Sequence, residues 1–271
     1  MKKIIIGAFL LGSCVTINAQ FNLNKALDVG TKGLKALTFT NADAAKLAKE
    51  GVDWMDKNNT VAGPKDPYTV RLNKLFAKHK SQDGLNLNYK VYKVTDINAF
   101  ACADGSVRVF SSLMDIMTDD ELLAVIGHEI GHVKNEDTKD AIKSAYLKAA
   151  AMDAASASSK TIATLNDSQL GAMANAMLDA SHSKKQESEA DTYSYDFMKA
   201  NGYDVVGAYR AFKKLALLSE EGGAKQSGFQ KMFNSHPDSN KRAEAIKKRA
   251  EKDGLWKDPG TVTLPTTKLT K

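Results

Sequence analysis

One helical turn constrains this chain more than any other feature: His128-Glu129-Ile130-Gly131-His132. It lies in a stretch that reads as a helix for independent reasons. Thr118-Asp119-Asp120-Glu121 is a capping box, in which Thr118 can accept from the third amide on and Glu121 can reach back. Leu122, Val125, Ile126 and Ile130 then recur at helical spacing. Residues four apart on a helix differ by about 40° in direction and ~6 Å in height, so both imidazoles reach one ion from one face. Glu129 stands about 100° round from His128, where it flanks such an ion without binding it. From there it can take a proton from a zinc-bound water, whose pKa the metal lowers towards neutrality.

The plain alternative is a pair of surface histidines, and two features count against it. Gly127 and Gly131 sit inside the helix, each costing ~1 kcal/mol relative to alanine. A close backbone approach beside the histidine face would explain them. A zinc site also needs a third protein ligand, and Glu187-Ser188-Glu189-Ala190-Asp191 supplies a candidate. On a helix Glu187 and Asp191 share a face while Glu189 points nearly the other way. With Glu187 as the ligand, Asp191 falls one turn along, placed to accept a hydrogen bond from the outer nitrogen of a zinc histidine. The bland reading of the segment is a solvated acidic face after Lys184 and Lys185. The extended metzincin pattern fails, because its Gly and His places hold Asn135 and Thr138. The expectation is therefore one zinc per chain on His128, His132 and Glu187, with one position open for water.

The N-terminus stands apart from the fold. Met1-Lys2-Lys3 is basic, Ile4 to Leu11 is apolar but for Gly7, and small residues follow, which is the pattern of a signal peptide. Ile17-Asn18-Ala19 before Gln20 suits ordinary signal peptidase, and Leu11-Gly12-Ser13-Cys14 resembles a lipobox that would lipidate Cys14. Val15, Thr16 and Ile17 stay apolar past Cys14, which favours cleavage at Gln20. The expected location is the periplasm or cell envelope, with outer-membrane anchoring through Cys14 as the variant. No other stretch reaches the ~20 apolar residues of a spanning helix. Lys and Arg total 38 against 32 Asp and Glu, and removal of Lys2 and Lys3 leaves a surplus of only four. That surplus is spread along the chain, no nucleic-acid motif accompanies it, and weak attraction to anionic membranes is the most it implies. Cys102 has no partner for a structural disulfide in the mature monomer.

The expected organisation is a signal peptide over 1–19, a helical segment and linker over 20–67, a catalytic domain over 68–254 and a mobile tail over 255–271. Helical spacing runs from Asn24 to about Lys57, and Asn58 to Pro67 is a loop. Tyr68 to Lys80 reads as an amphipathic helix with Val70, Leu72, Leu75 and Phe76 on one face. Asn88 to Val94, Asn98 to Ala101 and Val107 to Phe110 read as strands, with Asp104-Gly105 a turn between the last two. The Ala- and Ser-rich Lys148 to Ser183 reads as a helical hairpin. Helices follow over Lys184 to Ala200, stopped by Asn201-Gly202, then from Asp204 through Leu218, broken by Gly222-Gly223. A last one runs from Asp238 or Ser239 to about Asp253.

Several separated blocks resemble one known family. They are Asn88-Tyr89-Lys90-Val91-Tyr92, Asn98-Ala99-Phe100-Ala101, Met117-Thr118-Asp119 and Val125-Ile126-Gly127-His128-Glu129. After them come Glu187 to Asp191 with Tyr193-Ser194-Tyr195-Asp196, and Ser235-His236-Pro237 with Arg242. From about Asn88 to Gly254 the chain resembles the bacterial HtpX/BepA/LoiP branch of metallopeptidase family forty-eight, and within it the LoiP type. The resemblance implies a mainly α, α+β gluzincin-type catalytic domain: a helical body with a small β-sheet beside the HExxH helix. It implies an endopeptidase of envelope quality control, acting on protein or peptide substrates that are unfolded or misassembled. An edge strand within Asn98 to Phe110 would bind them in extended form, through Asn98, Ala99, Phe100 and Ala101. It places His236 near the zinc, as an oxyanion donor or as a fourth ligand that keeps the enzyme latent. Lipid anchoring and a disulfide, both LoiP-like features, do not carry over securely. A zinc-bound chaperone or adaptor that rarely cuts is the rival reading, but Glu129 and every ligand are present. A structural zinc protein is disfavoured, since such sites use cysteine. His79 and His182 have no motif context and read as surface residues. Mass spectrometry of the exported protein should find Gln20 as the first residue, or else a lipidated Cys14. Recovery of intact Met1 from the envelope fraction would contradict both.

Overall fold

The computed structural model describes residues 39–150, 164–220 and 236–265. The expected signal peptide, the start of the helix read from Asn24, the middle of the Ala/Ser-rich hairpin, the Gly222-Gly223 break and the last tail residues lie outside them. Helices dominate, with small sheets beside them. In chain order the elements are α1 (Asn41–Asn58), α2 (Pro67–Leu75), β1 (Ser81–Gln82), β2 (Leu85–Asn86), β3 (Asn88–Tyr92), β4 (Ala99–Ala101) and β5 (Ser106–Phe110). Then follow α3 (Ser111–Ile116), α4 (Asp119–Lys134), α5 (Asp137–Ala150), α6 (Asp167–Leu178), α7 (Lys184–Ala200), α8 (Val206–Glu220) and α9 (Ser239–Lys252). Among the described residues no helix is long and apolar enough to cross a membrane.

Helix α4 is the axis of the molecule. Its residues from Glu121 to Val133 are all buried, including both histidines and Glu129. A helix enclosed on every side needs apolar residues all round, which is why Leu122, Leu123, Ala124, Val125 and Ile126 run without a polar break. It packs against α7, α8, α5 and strand β4.

The principal sheet has the order β3-β5-β4. β3 runs parallel to β5, from Asn88 opposite Ser106 to Tyr92 opposite Phe110. β4 runs antiparallel to β5, with Phe100 opposite Arg108. All five residues of the central strand β5 are buried. The hairpin turns at Gly105, whose φ of +85° suits glycine, and a Cβ there would sit 2.1 Å from Asn86 O. The loop read over Asn58 to Pro67 lies along the outer side of β3, where Ala62 N donates to Val91 O at 2.9 Å and Lys93 N donates to Thr60 O at 2.8 Å.

Two expectations need correction here. Val70 is 54% exposed and does not share the buried face of Leu72 and Phe76. Positions two apart on a helix are about 200° apart in direction, and α2 stops at Leu75 with Phe76 as its cap. His79 is not a surface residue but 3% exposed. Its Nε2 lies 2.8 Å from the Tyr203 hydroxyl, and its ring sits edge-on to Phe197. Burial, with a smaller contribution from Lys78, lowers its pKa.

A second apolar cluster lies among α1, α5 and α6, built on Leu47, Val52, Met55, Ile142, Tyr146 and Met173. One polar network ties α1 to the sheet. Arg108, buried in β5, reaches Asp56 with Nε at 2.8 Å and Nη2 at 2.9 Å. Lys90 and the Tyr92 hydroxyl donate to the same carboxylate. Burial pushes the Asp56 pKa up, but the hydrogen bonds from Arg108, Lys90 and Tyr92 outweigh it and hold it at about 2. A depressed carboxylate pKa stabilises the fold above its unfolded value and loses that effect as pH falls through the folded one. Asp56→Asn should therefore cost about 3 kcal/mol at neutral pH, since it leaves Arg108 without its charge partner. The gap in melting temperature from wild type should close between about pH 4 and pH 2. A gap that stays constant through that window would show that Asp56 is not held ionised by this network.

Candidate metal centre

The site begins with how closely two helices meet. A Cβ at Gly131 would lie 3.1 Å from Ala190 Cα and 3.1 Å from Tyr193 Cβ, and one at Gly127 would lie 3.1 Å from Phe197 Cδ1. These glycines let α7 lie directly on α4, and the Ser194 hydroxyl fastens the seam by donating to Ala124 O at 2.6 Å. Ala190 is the contact point, so Glu187, one turn earlier, overhangs the histidines. The N-terminus of α4 is held independently. Glu121 accepts from Thr118 N at 2.8 Å and from buried Lys214 at 2.7 Å.

Four side chains converge. Ligand-type atoms of His128, His132, Glu187 and His236, all buried, lie within 4.8 Å of one another. The Nε2 atoms of His128 and His132 are 3.0 Å apart. Glu187 Oε1 is 3.4 Å from His132 Nε2 and 2.9 Å from His236 Nδ1. The outer nitrogens have their own partners. His128 Nδ1 lies 2.9 Å from Asp191 Oδ1, and His132 Nδ1 lies 2.9 Å from Asp137 Oδ2. The Asp137 carboxylate accepts from His132 Nδ1 and turns the Nε2 of that ring inward, the arrangement that orients a metal-binding histidine, while Asp191 and Arg242 Nη2, the latter at 3.1 Å, both face His128 Nδ1. Two Nε2 atoms this close share either a proton or a cation. The donor set of two imidazoles and a carboxylate suits a transition-metal ion such as zinc.

Glu187 is 2% exposed, whereas Glu189 is exposed and pairs with Lys185. Arg242 Nη1 lies 2.7 Å from Glu187 Oε2 as an ion pair, although Oε2 accepts no well-aligned hydrogen bond. Arg242 also grips Asp191 with Nε at 2.9 Å and Nη2 at 2.6 Å, and its guanidinium lies over the Phe212 ring. Burial pushes the Glu187 pKa up, but hydrogen bonding to His132 and His236 and the charges of His236 and Arg242 hold it well below the usual carboxylate range. Glu129 is raised, chiefly by burial, against the opposing pull of His236 and His132. His128 is driven well down by burial and by the neighbouring Arg242 and His132 charges. For His132 burial acts downward, yet Glu187, Glu129 and Asp137 together raise its pKa, so the cluster draws positive charge inward.

His236 is buried, with Nε2 3.5 Å from Glu129 Oε1. Asn98 to Ala101 form the cleft wall beside Glu129 and His132. On β4, Asn98 O accepts from Phe110 N and Cys102 N donates to Ser106 O. The alternation of an antiparallel ladder then turns the main-chain groups of Ala99 and Ala101 to the outer edge. The Ala99 amide is already occupied by Asn98 Oδ1 at 2.8 Å. Cys102 is buried and free. His182, read from sequence as a surface residue, lies over the site, stacked on His132 with ring centroids 3.8 Å apart. Burial, then the charges of His132 and His236, bring its pKa down to about 3. It precedes Ser183, the N-cap of α7, so the helix that delivers Glu187 delivers it too. Sequence reasoning also missed Asp137, whose only signal was an acidic residue one turn beyond His132, and the contacts of Arg242.

The chain matches the profile of Peptidase family M48 over residues 71–250. It is 40% identical to Metalloprotease YcaL of Escherichia coli (strain K12) over 92% of its length and 96% of that protein's. It is 36% identical to Metalloprotease LoiP of the same strain over 93% of its own length and 98% of LoiP's. Protease HtpX of Acinetobacter baumannii (strain AYE) matches over a shorter part, 36% identical across 31% of this chain and 32% of that one. By the geometry above, Glu187→Ala should abolish retention of a divalent metal through gel filtration, and Glu189→Ala should leave it unchanged. Elemental analysis giving the reverse order would place the third ligand on the other face of α7.

Proposed function

The chain belongs to peptidase family M48 and is a metalloprotease, and from that premise we propose a zinc-dependent endopeptidase with His128, His132 and Glu187 as ligands and Glu129 as general base. The observation that carries this reading is the inward convergence of two Nε2 atoms and a carboxylate, each backed by a buried partner. When bound, zinc supplies a Lewis acid that polarises a peptide carbonyl and lowers the pKa of water.

The remaining steps belong to the side chains. Glu129 accepts the proton of the attacking water and passes it to the leaving amine. Its burial raises its proton affinity, as a base that must also give the proton back requires. Asp191 and Asp137 fix the two imidazoles, and Arg242 fixes Asp191 and the outer oxygen of Glu187. His236 stands within the cluster, so we assign it two positions: closing the fourth ligand place at rest, and donating to the developing oxyanion once substrate has entered. A peptide in extended form adds to the outer edge of β4, using the free C=O and N–H of Ala101 and the C=O of Ala99. Asn98 and Phe100 frame that edge. The signal-peptide pattern over Met1 to Ala19 supports an exported enzyme, whose substrates would then be envelope proteins.

Casein digestion by wild type and Glu129→Gln, with metal content measured in both, tests the mechanism. The variant should keep one zinc per chain and lose cleavage by at least ~10²-fold, because only the proton acceptor is gone. Undiminished cleavage would assign the base to another group. His236→Ala should bind zinc slightly more weakly and lose ~10²- to 10³-fold in turnover, and a rise in basal activity would leave it the latch role alone.

A further inference from the structure

The segment between α6 and α7 carries a histidine that none of the catalytic steps uses. His182 lies one residue before Ser183, the N-cap of α7. That cap is reciprocal: Ser183 Oγ accepts from Gln186 N at 3.3 Å, and the Gln186 side chain accepts from Ser183 N at 2.9 Å. Two amides at the helix start are thereby satisfied, so His182 departs from a closed helix end. Its ring lies on that of His132, with centroids 3.8 Å apart and planes within 15° of parallel. From His236 it is further, at 5.5 Å and 30°.

Ligand-type atoms of His132, Asp137 and His182 lie within 4.8 Å of one another, which raises the question of a second metal ion. The ring planes argue against one. An imidazole binds a metal through a ring nitrogen, along a lone pair that lies in the plane of the ring. Stacked rings keep their lone pairs in two nearly parallel planes, and one nearby ion cannot lie in both. His132 Nδ1 is also engaged already, by Asp137 Oδ2 at 2.9 Å. What the pair offers is contact between faces.

That contact supplies a restraint that His132 otherwise lacks. At its edges, Nδ1 meets Asp137, while Nε2 faces His128 Nε2 at 3.0 Å and Glu187 Oε1 at 3.4 Å. A plate against the face hinders the ring from turning about its bond to Cβ, the motion that would swing Nε2 away from the cluster. We propose that His182 is a positioning residue for the metal ligand His132: its ring, lying flat on the ligand's ring, keeps Nε2 in place and slows release of the metal. The proposal rests on the reading of His132 as a ligand.

The test follows transfer of zinc from the loaded full-length protein to an excess of a chromogenic chelator, a readout independent of catalysis. His182→Phe keeps a flat ring without nitrogens, His182→Gln keeps a polar group without a ring, and His182→Ala keeps neither. Release should be ~10-fold faster than wild type in His182→Ala and His182→Gln, the lower end of what residues supporting a metal ligand contribute. In His182→Phe it should stay close to the wild-type rate. Thermal melting of the metal-free proteins identifies a variant whose fold is damaged, and the comparison of His182→Phe with His182→Gln then decides. Release from His182→Ala or His182→Gln at the wild-type rate would overturn the proposal. So would release from His182→Phe as fast as from His182→Ala, which would assign the effect to a nitrogen and not to the ring face. Failure of the ligand reading is seen at a different residue: His132→Ala would then retain zinc as wild type does.

Discussion

Everything at the metal centre depends on how closely α7 lies against α4. Two glycines in the middle of a helix lower its intrinsic stability by ~1 kcal/mol each. Here they remove the side chains that would hold Ala190, Tyr193 and Phe197 away. The result is a backbone-to-backbone seam with Glu187 at one end and the Ser194 hydroxyl bonded across its middle. A methyl group at Gly131 would have to displace the α7 backbone, because the opposing atoms are Ala190 Cα and O and not a flexible side-chain end. The same displacement, a few tenths of an ångström, would be passed along α7 to Glu187 and His182. The fold thus yields helix propensity at the position where the site needs proximity.

The second constraint is charge. Glu129, Asp137, Glu187 and Asp191 bring four carboxylates into a buried cluster, and Arg242 is the one buried guanidinium among them. Isolated buried charges are costly, and a site holding them must balance them. A divalent cation between the imidazoles brings the sum close to neutral. Burial, and then the Arg242 charge, drive the His128 pKa down, whereas at His132 the carboxylates of Glu187, Glu129 and Asp137 outweigh burial and raise it. Arg242 does more than compensate. By taking one oxygen of Glu187 it leaves the other to face the imidazoles, and by gripping Asp191 with two nitrogens it holds that carboxylate on His128.

The parts of this arrangement legible in sequence are those carried by one helix at a time. The spacing of His128 and His132, the face shared by Glu187 and Asp191, and the meaning of Gly127 and Gly131 all follow from 3.6 residues per turn. The strands around Asp104-Gly105 were legible because alternation and a turn pair mark them locally. What stayed hidden depends on how elements meet. His182 reads as a polar residue in a loop until α7 is docked, after which it stacks on His132. His79 pairs with Tyr203 across more than a hundred residues of chain, and nothing around it announces burial. Val70 lies off the buried face for a simpler reason: it stands nearly opposite Leu72 on its helix, and apolar character alone does not place a residue in the core.

The treatment of the sheet edges follows from the same chemistry. An exposed strand edge is a template for unwanted pairing, and proteins usually cover or interrupt it. One edge of this sheet, along β3, is covered by the Thr60 to Ala62 segment, which bonds to Val91 and Lys93. The other, along β4, has no strand partner among the described residues. It is kept short, at three residues, and its first outward amide is occupied by the Asn98 side chain. What is left open is a run of main-chain groups centred on Ala101, directly beside Glu129 and His132. Too short to hold a long strand, such an edge can still align an extended peptide across the cluster. Strand pairing is indifferent to side-chain identity, because main-chain groups carry it. Binding through this edge alone would accept almost any unfolded chain, and selectivity must then come from the pockets on either side.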